Sequence, residues 1–326
     1  MDGLSILLTG GTGSFGKEFV QMTLKQYNPE KIVIYSRDEM KQWDMSREYL
    51  LDRRVDFVVG DVRDAARLNA CMRGIDVVIH AAATKIVPTA EYNPIECIKT
   101  NINGAENIIQ AAIDNSVSRV VALSTDKASA PINLYGATKL ASDKLFIAAN
   151  NSSEASNTLF SIVRYGNVMG SRGSVIPFFV KQAPSGVLSI TDERMTRFMI
   201  TLDQGVRLVW KALDEMKGGE VFVKKIPSMK ITEIAKAIAP HARLDIVGIR
   251  PGEKIHEQMI GEEDSFSTYE YDDHYRILPM IHGLYLKEEW ISGGKRVLEG
   301  FSYKSNTNDE WMTRSDLQVW IESTYR

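Results

Sequence analysis

Short apolar runs recur along the chain, and stretches with helical spacing lie between them. The runs are Leu4–Leu8, Lys31–Tyr35, Val55–Gly60, Asp76–His80, Arg119–Ser124, Leu159–Tyr165 and Glu220–Val223. Each is nearly unbroken by polar residues, which marks strands buried on both faces. Helical spacing covers Ser14–Tyr27, Glu39–Leu51, Asp64–Met72, Pro94–Asn115, Tyr135–Asn150 and Asp203–Met216. Strand–helix alternation predicts an α/β fold, a doubly wound parallel-sheet Rossmann domain. The polar stretch 150–157 reads as a surface loop.

After Asn167 the alternation degrades. Residues 169–199 are loop-rich and carry several arginines, and the region beyond residue 225 combines a helix, an "RPGEK" turn, an acidic loop and a helical tail. We expect a Rossmann domain from 1–168 plus about 200–225, and a smaller α/β substrate-binding domain from about 169–199 plus 226–326.

The totals narrow the class. The 326 residues are 44% hydrophobic and 25% charged, enough apolar material for a large core and two domains. A net charge of −3 points to neither nucleic acid nor an acidic membrane surface. No apolar run reaches the ~20 residues of a membrane span, and the start lacks a signal-peptide pattern. Cys71 and Cys97 read as packing residues in a reducing cytoplasm. His80, His241, His256, His274 and His282 show no metal spacing, and His80, ending an apolar strand, reads as a core residue. No metal site is expected.

"LLTGGTGSFGKEF" places Gly10, Gly13 and Gly16 directly after the first strand and before a helix. Glycine permits the tight turn and close approach of a pyrophosphate, toward which the helix aims its unpaired N–H groups. The second strand ends in Ser36, Arg37 and Asp38, with Lys41 a turn later. Cations there suit a 2′-phosphate, which favours NADP over NAD. Asp61 and Val62, after the third strand, stand where an adenine edge is read; Asp61 could equally cap a helix.

Tyr135 and Lys139 are four apart and share a helix face. A lysine ammonium and a nicotinamide cation beside the phenol would lower its pKa and make it a base toward a carbinol. The strand before this helix runs out at Ser124 and Thr125, followed by Asp126-Lys127. Such a strand end is where ligands bind in open α/β sheets.

"TGGTGSFG", "STDKASAPINLYGATK" and "RYGNVMGSRGSVIPFF" together resemble extended short-chain dehydrogenase/reductases acting on nucleotide sugars. Within these the chain is similar to inverting UDP-N-acetylglucosamine 4,6-dehydratases of pseudaminic acid synthesis. "AATKIVPTAEYNPIECIKTN", "ITDERMTRFMITLD" and "GIRPGEKIHE" extend the likeness over nearly the whole chain.

The resemblance implies oxidation at C4 of UDP-N-acetylglucosamine with NADP, loss of the C5 proton and the C6 hydroxyl, reduction at C6, and reprotonation of C5 on the opposite face. Tyr135 would be the C4 base, supported by Lys139 and Thr125, Asp126 the acid toward the C6 hydroxyl, and Lys127 the C5 base. Burial near Lys85, Lys139 and the nicotinamide would push the Lys127 pKa down, and an ionised Asp126 would push it up; the sequence leaves the net direction open. Implied cofactor contacts are Gly10, Gly13, Ser14, Phe15, Gly16, Ser36, Arg37, Asp38, Lys41, Asp61, Val62, Ala81, Lys85, Thr100, Tyr135, Lys139 and Val168. Implied substrate contacts are Lys85, Asn167, Arg172, Thr191, Arg197, Arg250 and Glu253; arginines suit the diphosphate because each pairs with two oxygens at once. A homo-oligomer is implied, a hexamer being one closed form. Rival readings are a retaining dehydratase, in which Asp-Glu typically replaces Asp126-Lys127, a UDP-hexose C4 epimerase, and a catalytically dead NADP-binding regulator.

Overall fold

A computed structural model of the protein describes residues 1–151, 157–280 and 288–325. Most of the loop expected over 150–157 lies outside them, as does His282.

Strands β1 (Ser5–Thr9), β2 (Lys31–Ser36), β3 (Val55–Val59), β4 (Val77–His80), β5 (Arg119–Thr125) and β6 (Leu159–Tyr165) run parallel in the order β3-β2-β1-β4-β5-β6. The order reverses between β1 and β4, and that crevice is where the fold takes ligands. The intervening helices are α1 (Ser14–Gln26), α2 (Glu39–Ser46), α3 (Ala65–Cys71), α4 (Val87–Tyr92), α5 (Pro94–Ile98), α6 (Gly104–Asp114) and α7 (Leu134–Ala149). The strands contribute fully buried Ile6, Leu7, Leu8, Val78, Ile79, Val120 and Val121, which is why their runs are continuous.

The remaining elements alternate less regularly. They are β7 (Asn167–Val168), α8 (Val175–Gln182), β8 (Val187–Ile190), β9 (Thr196–Ile200), α9 (Leu202–Glu215), β10 (Val221–Lys224), β11 (Ser228–Lys230), α10 (Ile231–Ile238), β12 (Arg243–Ile246), β13 (Gln258–Ile260), β14 (Thr268–Glu270), β15 (His274–Ile277), α11 (Glu288–Ile291), β16 (Lys295–Arg296), β17 (Tyr303–Lys304) and α12 (Arg314–Tyr325). Helix α9 packs on α1, while α3, α6 and α7 pack together, so helices cover both faces of the sheet. A second core gathers Met169, Ile176, Phe179, Leu188, Ile234 and Leu317, drawn from segments on either side of α9 and β10.

Three local differences from the sequence expectation have physical causes. The helix expected over Pro94–Asn115 is interrupted by a π-helical turn at Lys99–Asn103. There the Asn101 side chain turns inward, accepting from the Thr84 N–H (2.8 Å) and donating to the Thr84 carbonyl (3.0 Å) and Thr138 Oγ1 (3.0 Å). Helix α2 stops at Ser46, where tighter bonds from the N–H groups of Glu48 and Tyr49 to Met45 and Ser46 close it. Residues 268–277, grouped from sequence with the smaller domain, instead extend the main sheet: β15 pairs antiparallel with β10, and β14 and β16 follow to make ten strands. Arg276 on β15 hid this strand from the hydrophobic pattern. Its guanidinium lies over the rings of Phe222 (5.0 Å) and Tyr271 (4.3 Å) and pairs with Glu215.

Candidate active site

The turn after β1 is shaped by backbone. Gly10 has φ +67°, and a Cβ there would lie 2.9 Å from the Ala82 backbone beyond β4. A Cβ on Gly16 would stand 2.2 Å from the Gly11 carbonyl oxygen, so α1 starts hard against the turn. Gly13 is the N-cap of α1 and supplies no side-chain cap, leaving the first-turn donors of Ser14, Phe15 and Gly16 to an anion. This cradle fits the pyrophosphate of a dinucleotide. The Thr9 hydroxyl fastens its far side, accepting from the N–H groups of Ala81 (3.2 Å) and Ala82 (3.3 Å) and bonding His80 Nδ1 at 2.9 Å. His80 is fully enclosed; burial, with Lys139 nearby, pushes its pKa down to about 3, so it is a neutral core residue.

At the end of β2, Asp38 is engaged by the start of α2. Its carboxylate caps α2 by accepting from the Lys41 N–H (3.0 Å), and Lys41 Nζ folds onto it at 2.6 Å. Ser36 Oγ accepts from Thr12 and Gln42. Arg37 is largely exposed, 3.6 Å from Asp61. Asp61 does not cap α3, since Asp64 does so through the Arg67 N–H. Instead Asp61 accepts from the backbone N–H and guanidinium of Arg63, which with Arg37 hold its carboxyl below the usual range despite burial. Val62 and Thr100 are buried, Val62 against Gly104. Lys85 is exposed, yet crowding by protein lowers its pKa.

The turn after β5 is built from buried charge. Asp126 is 1% exposed; its Oδ1 accepts from Thr125 Oγ1 (2.9 Å) and Lys127 Nζ (3.1 Å), while Oδ2 has no partner among the described residues. Burial raises the Asp126 pKa, against the pull of Lys127. Gly136 lets α7 start directly on this turn: a Cβ would sit 2.2 Å from the Lys127 carbonyl oxygen. Tyr135 thereby comes under Thr125 and Lys127. Burial pushes its phenol up to about 12, with Lys127 and Thr125 pulling the other way. Lys139 is itself buried, which lowers its own pKa while Asp143 raises it, and the cation acting on Tyr135 is Lys127.

One member of this cluster is absent from the sequence expectation. Glu257, 2% exposed, places Oε1 3.2 Å from Lys127 Nζ and 3.7 Å from Arg197 Nε. Burial alone would lower the Lys127 pKa, but Asp126 and Glu257 together raise it above the ordinary lysine value. In the direction left open from sequence, the two carboxylates push Lys127 toward its ammonium form. Glu257 closes the "RPGEKIHE" run, and an acid ending a run already singled out for its arginine is the signal that could have found it.

The other expected substrate contacts are differently placed. Arg197 points inward, donating to the carbonyls of Thr196 (2.7 Å), Lys254 (3.0 Å) and Ile255 (3.0 Å). Arg250 is exposed and paired with Glu253. Their turn docks on α7, where Asn133 Nδ2 donates to the Gly252 carbonyl (2.7 Å). The Arg172 N–H donates to Ser14 Oγ (3.2 Å), bringing the loop after Val168 to the start of α1. Asn167 Oδ1 is buried without a partner among the described residues. Thr191, after β8, is half-buried, and no described contact of its side chain joins it to the cluster. Among the described residues no group of three or more His, Cys, Asp or Glu could hold a metal ion, and no helix is long and apolar enough to cross a membrane.

A doubly wound sheet with a glycine turn after β1 and a Tyr135/Lys139 helix beside the end of β5 defines an extended short-chain dehydrogenase/reductase. More narrowly, the chain belongs to the polysaccharide biosynthesis protein family, whose sequence model matches residues 6–279. It is 53% identical to the inverting UDP-N-acetylglucosamine 4,6-dehydratase of Campylobacter jejuni subsp. jejuni serotype O:23/36 (strain 81-176), over 99% of this chain and 98% of that protein. It is 40% identical to a UDP-glucose 4-epimerase of Rickettsia canadensis (strain McKiel), over 90% of this chain and 88% of that protein. The X-ray structure of Pen from Bacillus thuringiensis superposes with a TM-score of 0.90 at 34% identity, covering 99% of this chain and 98% of that one.

Proposed function

We propose that the chain is an inverting UDP-N-acetylglucosamine 4,6-dehydratase, removing water across C5 and C6 and epimerising C5. The observation that carries this reading is the Asp126–Lys127 pair held with Tyr135 at the buried end of β5. A dehydrogenase or C4 epimerase has no use for an acid and a cation placed for elimination.

The glycine turn and the start of α1 would hold the pyrophosphate, and Arg37 and Lys41 a 2′-phosphate. Asp38, committed to capping α2, is not free to claim the ribose hydroxyls, which supports NADP over NAD. When bound, the nicotinamide supplies the oxidant at C4 and the reductant at C6. Tyr135 takes the C4 hydroxyl proton; its resting pKa of about 12 requires the positive charge of the loaded site to bring it within range. Asp126, whose carboxyl burial favours as the neutral acid, protonates the departing C6 hydroxyl. Lys127 serves the C5 side. The C5 proton passes to Lys127 in its neutral form, which its two carboxylate neighbours disfavour at rest, and the ammonium so formed can then pair with the enolate oxygen. The 53%-identical relative's activity supports inversion rather than retention. The product would enter pseudaminic acid synthesis, in the cytoplasm, from a homo-oligomeric enzyme.

One time course tests the reading. Protein, NADP and UDP-N-acetylglucosamine in heavy water should give a 4-keto-6-deoxy sugar with inverted, deuterated C5 by NMR. Retained configuration, or a C4 epimer without loss of water, overturns it. The pH dependence separates the two roles of Lys127: exchange at C5 rises with pH if the neutral amine is the base, and falls if the ammonium does the work.

A further inference from the structure

We propose that Glu257 is a positioning residue of this reaction: it reaches across from the smaller unit, holds Lys127 opposite Asp126, and sets its affinity for a proton. The inference rests on the reading of Lys127 just given and adds the residue that governs it.

The geometry makes Glu257 an equal partner of Asp126. The two carboxylates approach Lys127 Nζ at 3.1 and 3.2 Å, from the turn after β5 and from the residue before β13. Glu257 is fastened on both sides in sequence. Lys254 Nζ donates to the Ser129 carbonyl (2.6 Å) and Gln258 Nε2 to Ser129 Oγ (3.0 Å), so the loop is tied to the residue just past the catalytic turn. Its own N–H donates to Ser305 Oγ (2.9 Å), and its carbonyl accepts from the Ser305 N–H (2.8 Å). Arg197 supports the same loop through the carbonyls of Lys254 and Ile255.

A packing role does not account for the charge. Glutamine has the same shape, and burying a second carboxylate beside Asp126 is costly. Glu257 Oε2 is buried with no hydrogen-bond partner among the described residues, a further cost that structure alone does not repay. What the charge does is electrostatic. Lys127 is faced by Asp126 on its own turn, Glu257 and Lys254 on the loop before β13, Arg197 on β9, and Tyr135 on α7. Burial raises the Asp126 pKa, and whenever Asp126 stands as the neutral acid its pull on Lys127 is lost. Glu257, held anionic by Lys127, Arg197 and Lys254 against its own burial, keeps its pull. One carboxylate is thereby free to act as an acid while the other keeps the lysine charged and in place.

The test uses the full chain and two variants, Glu257→Gln and Glu257→Asp, read two ways. The first readout is the 13C NMR titration of Lys127 Cε without substrate, assigned through Lys127→Arg. Wild-type Lys127 should remain protonated past about pH 10, as for an ordinary lysine or later. In Glu257→Gln the onset should fall by about 1 pH unit or more, and in Glu257→Asp, which withdraws the carboxylate by one methylene, by less. The second readout is the pH profile of C5 deuterium exchange with UDP-N-acetylglucosamine and NADP, whose Lys127-linked limb should move the same way. NADP affinity should stay unchanged, showing that the fold is intact. If the folded Gln variant leaves the Lys127 titration where it was, the assignment is overturned. If the Gln variant does not fold, an unmoved titration in the Asp variant overturns it equally. The titration needs no turnover, so it decides the role of Glu257 even if the wild type makes no dehydrated sugar.

Discussion

The turns after β1 and β5 both sit at the carboxyl edge of the same sheet, yet they are made from opposite materials. The first is glycine and backbone, with no charge buried in it; its shape follows from one stretch of sequence, Gly10 to Gly16. The second is side-chain charge, and its groups arrive from Asp126 and Lys127, from α7, from β9 and from the loop before β13. A phosphate is recognised by fixed donors that need only be near in sequence. Proton transfer needs opposed charges in a dry place, and only a folded chain can bring those together.

This contrast can be broken most sharply at Tyr135. Tyr135→Phe should bind NADP and substrate as the wild type does but lose roughly 10²–10⁴ in the rate of NADPH formation, followed by absorbance in single turnover. Normal turnover would make Tyr135 structural. The reverse pattern belongs to the first turn. Gly16→Ala drives a methyl into the Gly11 carbonyl, which cannot move aside. It should cost about 3 kcal/mol of stability and weaken cofactor binding, by denaturant melt and cofactor titration, without moving the pH profile of any chemistry that remains.

Sequence could reach the first turn far better than the second, for the same reason. The order β1 to β6 and their helices follow from continuous apolar runs, and the glycine spacing stands beside its strand. Glu257 escaped because its meaning depends on Lys127, distant in sequence, and nothing local shows that the Arg197 guanidinium also donates to carbonyls of the loop carrying Glu257. Asn101 escaped similarly: its inward turn needs the π-helical step at Lys99–Asn103, which no hydrophobic period encodes. Strand β15 was masked by a charge that only a ring pair from two segments can shelter.

Two smaller effects sharpen the comparison. The cofactor half depends on charge only at its exposed rim. Arg37→Ala should lose on the order of 1.5–3 kcal/mol of NADP binding and nothing for NAD, measured by titrating both. Equal affinities in the wild type would remove the basis for preferring NADP. The crevice floor between the two turns carries His80, bonded to Thr9 and near Lys139. Its folded pKa of about 3 lies below the unfolded value of about 6.5. The stability it contributes is therefore complete above about pH 6.5 and lost as pH falls toward about 3. Between pH 7 and pH 5 this group should account for about 2 kcal/mol of the fall in unfolding free energy, and His80→Asn should flatten that slope in denaturant melts.

The tether between Ser129 and the loop carrying Glu257 has a consequence for how the protein comes into being. A ribosome delivers the chain from its amino end. The glycine turn and β1 to β6 are all made before residue 166, whereas the residues that hold Lys127 opposite Asp126 come only with Lys254, Glu257 and Gln258. A nascent chain thus has its glycine turn, and Asp126, Lys127 and Tyr135 as well, long before the carboxylate that completes the cluster around Lys127. During that interval the second carboxylate partner of Lys127 has yet to be synthesised.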